Sequence, residues 1–184
     1  MPYHHGDLRR TMLTAAVAAI TESGPAAISL RDLARRAGVS NAAPAHHFGD
    51  KAGLLTALAA EGYDLLADAL GEVREGGMID LGVAYVRFAL EHRAHFEVMF
   101  RPDFYRADDE ALVAARTRAG DVLADGVAAD PRTGPEQELA RVAAWSLMHG
   151  YATLVLTGAV SHEEPVVTAR SIAKFLFSGD QVVK

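Results

Sequence analysis

Cysteine is absent from the 184 residues, so the chain has neither a disulfide framework nor thiolate chemistry. Long apolar runs are also missing, and the opening Met1-Pro2-Tyr3-His4-His5-Gly6-Asp7 has no signal-peptide core. A soluble, cytoplasmic protein without a membrane partner is expected. The sequence holds no GxxxxGK[ST] phosphate loop, no HExxH and no GxSxG elbow, so neither an enzyme nor a cofactor is expected. No strand pattern of useful length and no internal repeat occurs, which leaves an all-α chain. An excess of positive charge is lacking too: 18 Lys/Arg against 24 Asp/Glu give −6, at first sight the wrong sign for a nucleic-acid partner.

The sign reverses locally once the chain is split. Residues 1–51 hold Arg9, Arg10, Arg31, Arg35, Arg36 and Lys51 against Asp7, Glu22, Asp32 and Asp50, a balance of +2. The rest carries −8, so only the small head is suited to a polyanion. Within the head, Asp7 opens a first helix with Leu8, Met12, Ala16 and Ile20 on one face, ended by Gly24-Pro25. Arg9 and Arg10 lie in its first turn, either on a solvated face or against phosphate. Ser29 is positioned to cap a second helix, with Asp32 reaching back in an aspartate version of the capping box. Gly38 stops that helix, Val39 fills the corner and Ser40 is positioned to cap a third. This is helix-turn-helix grammar, in which the second helix of the pair enters the DNA major groove.

Ala34, Ala37-Gly38-Val39-Ser40, His47-Phe48, Asp50-Lys51 and Leu54 resemble the DNA-binding head of the TetR family of bacterial transcriptional repressors. Tyr3 to Arg9 resembles the opening of one subgroup. The resemblance implies DNA contact through the residues of this region: Ser29, Arg31, Ser40, Asn41, Ala42, Ala43, His46, His47 and Lys51. Asn41 has the chemistry to pair bidentately with adenine, Ala42 or Ala43 to meet a thymine methyl, and Lys51 to hold a phosphate at a helix start. One departure stands out. The family's tyrosine, a phosphate contact two residues before the histidine, is replaced by Ala45.

Beyond the head, a long helix from Asp50 to about Arg74 ends at Gly76-Gly77. Ile79 to Arg101 reads as two helices broken near Arg93 and stopped by Pro102. Asp108 is positioned to cap another helix, residues 130–135 form a loop, Glu136 to Gly158 is a long helix, and Ser161 with Glu164 forms a capping box before the last. The expected architecture is therefore a head at 1–51 and a helical ligand-binding and dimerisation body at 52–184, about nine helices in all. Trp145, His149 and Gly150 fit the Trp-His-Gly pattern of a TetR-type C-terminal domain. That resemblance implies a homodimer through the last two helices, a palindromic operator and a small-molecule inducer. Gly150, Ala152, Gly158, Ala159, Ala169, Ser171 and Ala173 are small enough for close helix pairing. Phe88, His92, Phe96, Met99, Phe100, Trp145 and His149 have the make-up of an apolar pocket with a few polar groups, or of plain core. His92 and His95 are a possible metal pair lacking the carboxylates a di-metal bundle needs, so no metal site is expected. The competing functions are a helical interaction module that has lost DNA binding through Ala45 and, further off, a metal-dependent enzyme.

Overall fold

The computed structural model describes residues 5–130 and 135–177; Tyr3, His4 and the loop residues 131–134 lie outside them. Nine α-helices occur among the described residues: α1 (His5–Ser23), α2 (Leu30–Arg36), α3 (Ala43–Phe48), α4 (Lys51–Gly71), α5 (Gly77–Glu91), α6 (Arg93–Met99), α7 (Glu110–Ala128), α8 (Gln137–Leu156) and α9 (Pro165–Phe177). Single 3-10 turns at Arg74–Gly76 and Pro102–Phe104 follow α4 and α6. No helix among the described residues is long and apolar enough to cross a membrane.

The helix starts show where local sequence misleads. α1 begins at His5, ahead of Asp7. Ser40 does not cap α3: the backbone turns from Ser40 to Ala43 and the helix starts three residues later, capped by Ala42 without a side-chain bond. Pro44 explains the shift, since in the first turn its missing N–H costs no hydrogen bond and its fixed φ suits a helix start. Pro165 acts likewise at the head of α9, displacing the cap from Ser161 to Glu164. α7 is capped by Asp109 rather than Asp108, its Oδ1 accepting from the N–H groups of Ala111 and Leu112 at 3.1 Å. α4 stops at Gly71, a turn short of Arg74.

The chain divides into two compact units, Met1–Tyr63 with His92–Arg116, and Asp64–Glu91 with Thr117–Lys184. In the first, Met12, Leu13, Ile20, Leu33, Ala34, Leu54, Leu55 and Leu58 are buried, each large side chain contributing roughly 1.5–3 kcal/mol. α6 packs against α1 here. The Tyr63 and Tyr105 hydroxyls both donate to the carbonyl of Met99, at 3.2 and 2.8 Å, closing the end of α6. Burial pushes the Tyr63 phenol up to about 12. A pKa raised on folding gives stability that is present below the unfolded value near 10 and lost as pH rises through 12, up to about 2–3 kcal/mol. Tyr63→Phe should remove that alkaline loss in denaturant titrations run at a series of alkaline pH values; an unchanged pH profile would assign it to other groups.

In the second unit α5 packs against α8 and α9. Asp130, buried, accepts from the Met78 N–H at 3.1 Å and caps the start of α5. Ala152, Ala169 and Ala173 are fully buried inside this unit. Three of the small residues expected at a dimer seam therefore serve packing within the chain instead.

Candidate nucleic-acid interface

The α2–α3 corner follows from its residues. Ser29 is extended, and its Oγ accepts from the Asp32 N–H at 3.2 Å. Asp32 does not complete the capping box: Arg35 and Arg36 both donate to its carboxylate, which holds it below the usual carboxylate range. At the other end Gly38 takes φ +67°, open to glycine without a Cβ penalty. The Gly38 N–H then donates to Arg35 O at 3.3 Å and the Val39 N–H to Ala34 O at 3.0 Å, the paired bonds of a Schellman cap. Leu33, Ala34, Pro44 and Phe48 are buried beneath.

What this core leaves outside is the expected surface. Arg31, Ser40, Asn41, Ala42, Ala45 and His46 are exposed, while Ala43, His47 and Lys51 are half-buried. Ser29, Arg31, Ser40 and Asn41 gather around one open groove with Asp32, Arg35 and Val39. The Arg35 guanidinium beside that groove is a member sequence reasoning misses, although its place one turn after Arg31 signals it. Arg36 turns away to Glu22 at 2.8 Å. The His46 and His47 rings meet edge to face at 5.6 Å.

The next helix begins at a corner made by residues far apart in sequence. Asp50 Oδ1 accepts from the Gly53 N–H at 2.8 Å and caps α4. Lys51 Nζ donates to Ala26 O at 2.7 Å, tying α4 to the loop before α2. An ammonium has three donors, so two remain for other acceptors.

The pocket residues fall in different units. In the first, Phe96 and Phe100 pack at 5.1 Å and Met99 is buried. The His92 and His95 rings stand 5.8 Å apart, and His95 Nε2 is hydrogen-bonded to Glu61 Oε1 at 3.0 Å, a partner that holds the glutamate below its usual range. No group of three or more His, Asp or Glu among the described residues is placed to hold a metal ion. In the second unit Phe88 is buried, and Tyr85, which no sequence pattern singles out, joins Trp145 and His149. Its hydroxyl lies 2.9 Å from His149 Nδ1 and accepts from Trp145 Nε1 at 3.2 Å. Burial lowers the His149 pKa and favours the neutral ring.

Residues 12–58 match the family model of bacterial regulatory proteins of the tetR type. Residues 78–175, more than half the chain, match that of the tetracyclin repressor-like C-terminal domain. The chain belongs to the TetR family. It is therefore a DNA-binding transcriptional regulator, all-α with an N-terminal helix-turn-helix head. Among solved structures, a protein of unknown function from a Rhodococcus species is 32% identical over 97% of this chain and 98% of its own, with a TM-score of 0.81. The TetR-family regulator PfmR from Thermus thermophilus shares the fold at 22% identity, over 92% of this chain and 98% of its own, with a TM-score of 0.74. The TetR-like regulator LfrR from Mycobacterium smegmatis, solved in complex with proflavine, shares it at 20% identity over 91% and 94%, with a TM-score of 0.61. No curated protein matches the chain.

Proposed function

We propose that this TetR-family regulator is a cytoplasmic repressor that binds a palindromic operator as a homodimer and is released by a small-molecule inducer. The observation carrying the reading is the uncovered α2–α3 groove, where Ser29, Arg31, Ser40 and Asn41 converge above a closed core. Residues 1–51 read the DNA; residues 52–184 dimerise and hold the ligand. Ser29, Arg31 and Lys51 take phosphates, Ser40, Asn41, Ala42 and Ala43 face base edges, and His46 and His47 serve either surface. Dimerisation uses α8 and α9, which expose Leu139, Val142, Leu154, Val167 and Phe175, apolar side chains that the same helices of a second copy would cover. Two heads then meet half-sites about 34–36 Å apart, or a multiple of that.

Ligand binding centres on Tyr85, His149 and Trp145, a hydrogen-bonded polar group, with buried Phe88 on the same helix as Tyr85. The complex of LfrR with proflavine supports a small molecule as the effector. An inducer acts by binding more tightly the body conformation whose heads no longer match the half-sites. Selection of bound duplexes from a random pool tests the operator: enriched palindromes are expected, and a pool left unenriched would contradict the reading. On a selected duplex, Asn41→Ala should relax preference at one or two positions, whereas Lys51→Ala should weaken all sequences alike and lower the salt slope by about one. A sequence-selective loss in Lys51→Ala would remove it from phosphate contact.

A further inference from the structure

Arg106 lies outside the helix-turn-helix motif, yet it reaches the corner where α3 ends and α4 begins. Its backbone N–H donates to Thr56 Oγ1 at 3.0 Å, and the hydroxyl of Thr56, buried, in turn donates to Ala52 O at 2.7 Å. From that anchor the side chain runs over Gly53: a Cβ there would stand 2.9 Å from Arg106 Nη1. The guanidinium ends on Asp50 Oδ2 at 2.8 Å, the oxygen of the α4 cap not engaged by the Gly53 N–H.

This pairing resolves a conflict of charge. Asp50 is needed as a cap, but its carboxylate adjoins Lys51 at the surface assigned to DNA phosphate, where an uncovered anion is repulsive. We propose that Arg106 is a positioning residue for DNA binding, whose guanidinium neutralises Asp50 and keeps the α3–α4 corner attractive to the phosphate backbone. The inference rests on the DNA-binding reading of that corner. Both partners are about half exposed, and such a pair adds little to stability, so its contribution falls on DNA affinity instead.

The test measures anisotropy of a random-sequence duplex at low salt, since the non-specific electrostatic component needs no known operator. Arg106→Gln should bind roughly fivefold more weakly, the effect of one unit charge acting across a few ångströms of water, with an unchanged melting temperature. Arg106→Lys should retain most of the affinity. The deciding variant is Asp50→Asn with Arg106→Gln, because asparagine caps a helix as well as aspartate does and carries no charge to neutralise. Recovery of wild-type affinity in this double variant is expected. A double variant as weak as Arg106→Gln, or an Arg106→Gln that binds like wild type, would overturn the proposal. Absence of binding by the wild-type protein would instead overturn the DNA-binding reading beneath it.

Discussion

Gly53→Ala should weaken DNA binding at least tenfold while leaving most of the helical content in place. Alanine in a helix ordinarily stabilises by up to about 1 kcal/mol relative to glycine, less in the first turn where Gly53 lies, so the sign depends on what the new methyl meets. Here it would lie 1.9 Å from the carbonyl oxygen of Phe48, a separation real atoms do not tolerate. That oxygen belongs to the last residue of α3, so the recognition helix, not a flexible side chain, has to move. Overpacking of this kind costs about 1–3 kcal/mol, which outweighs the gain in propensity. A displacement of α3 by about one ångström carries His46, and the turn before it that holds Asn41, out of register with the base edges proposed for them, and a fall in affinity of at least tenfold follows, worth about one good base contact. Gly120→Ala is the control. Its methyl, inside α7, would meet nothing within 4 Å, so only the gain in helix propensity remains. Unfolding in denaturant and duplex anisotropy on both variants check the contrast; equal losses would remove the α3–Gly53 contact from the account.

A charge placed on the exposed face of α9 should separate the proposed dimer. Phe175 is 80% and Val167 56% exposed, eight residues and about two turns apart on one side of the helix. Because neither side chain is buried in the protomer, Val167→Asp with Phe175→Asp leaves the folded chain's stability nearly unchanged. A buried carboxylate pair facing its symmetry mate is strongly unfavourable, so sedimentation should show a monomer. Two unlinked heads lose the effective concentration that a dimer provides, and operator affinity should drop by about 10²–10⁴. A variant that remains dimeric would place the interface elsewhere on the chain.

The helix-turn-helix is legible in the sequence because its signals are local. Ser29 three residues before Asp32, and Gly38 where a left-handed residue is required, each act within one turn of chain. The displaced caps are local competitions that sequence cannot arbitrate: Ser40, Ser161 and Asp108 are good caps in isolation, but Pro44 and Pro165 fix where two of those helices begin. The partners that escape a reading of the sequence are joined across distance. Tyr85 reaches His149 over 64 residues and Arg106 reaches Asp50 over 56, and no periodicity encodes either. Nor does composition announce that α6 packs with the head in one unit. Ala152, Ala169 and Ala173 do serve close packing, but against their own chain, since a buried alanine looks the same in sequence whichever helix covers it.

The central claim is that this head reads DNA as half of a dimer. Fluorescence anisotropy of the purified protein on duplex DNA from upstream of its own gene, against a scrambled duplex at two salt concentrations, tests it most directly. Selective binding that weakens steeply with salt and saturates at two chains per duplex is the predicted result. Absence of binding to either duplex at both salt concentrations would contradict it and leave Ala45 as the mark of a head that no longer engages DNA.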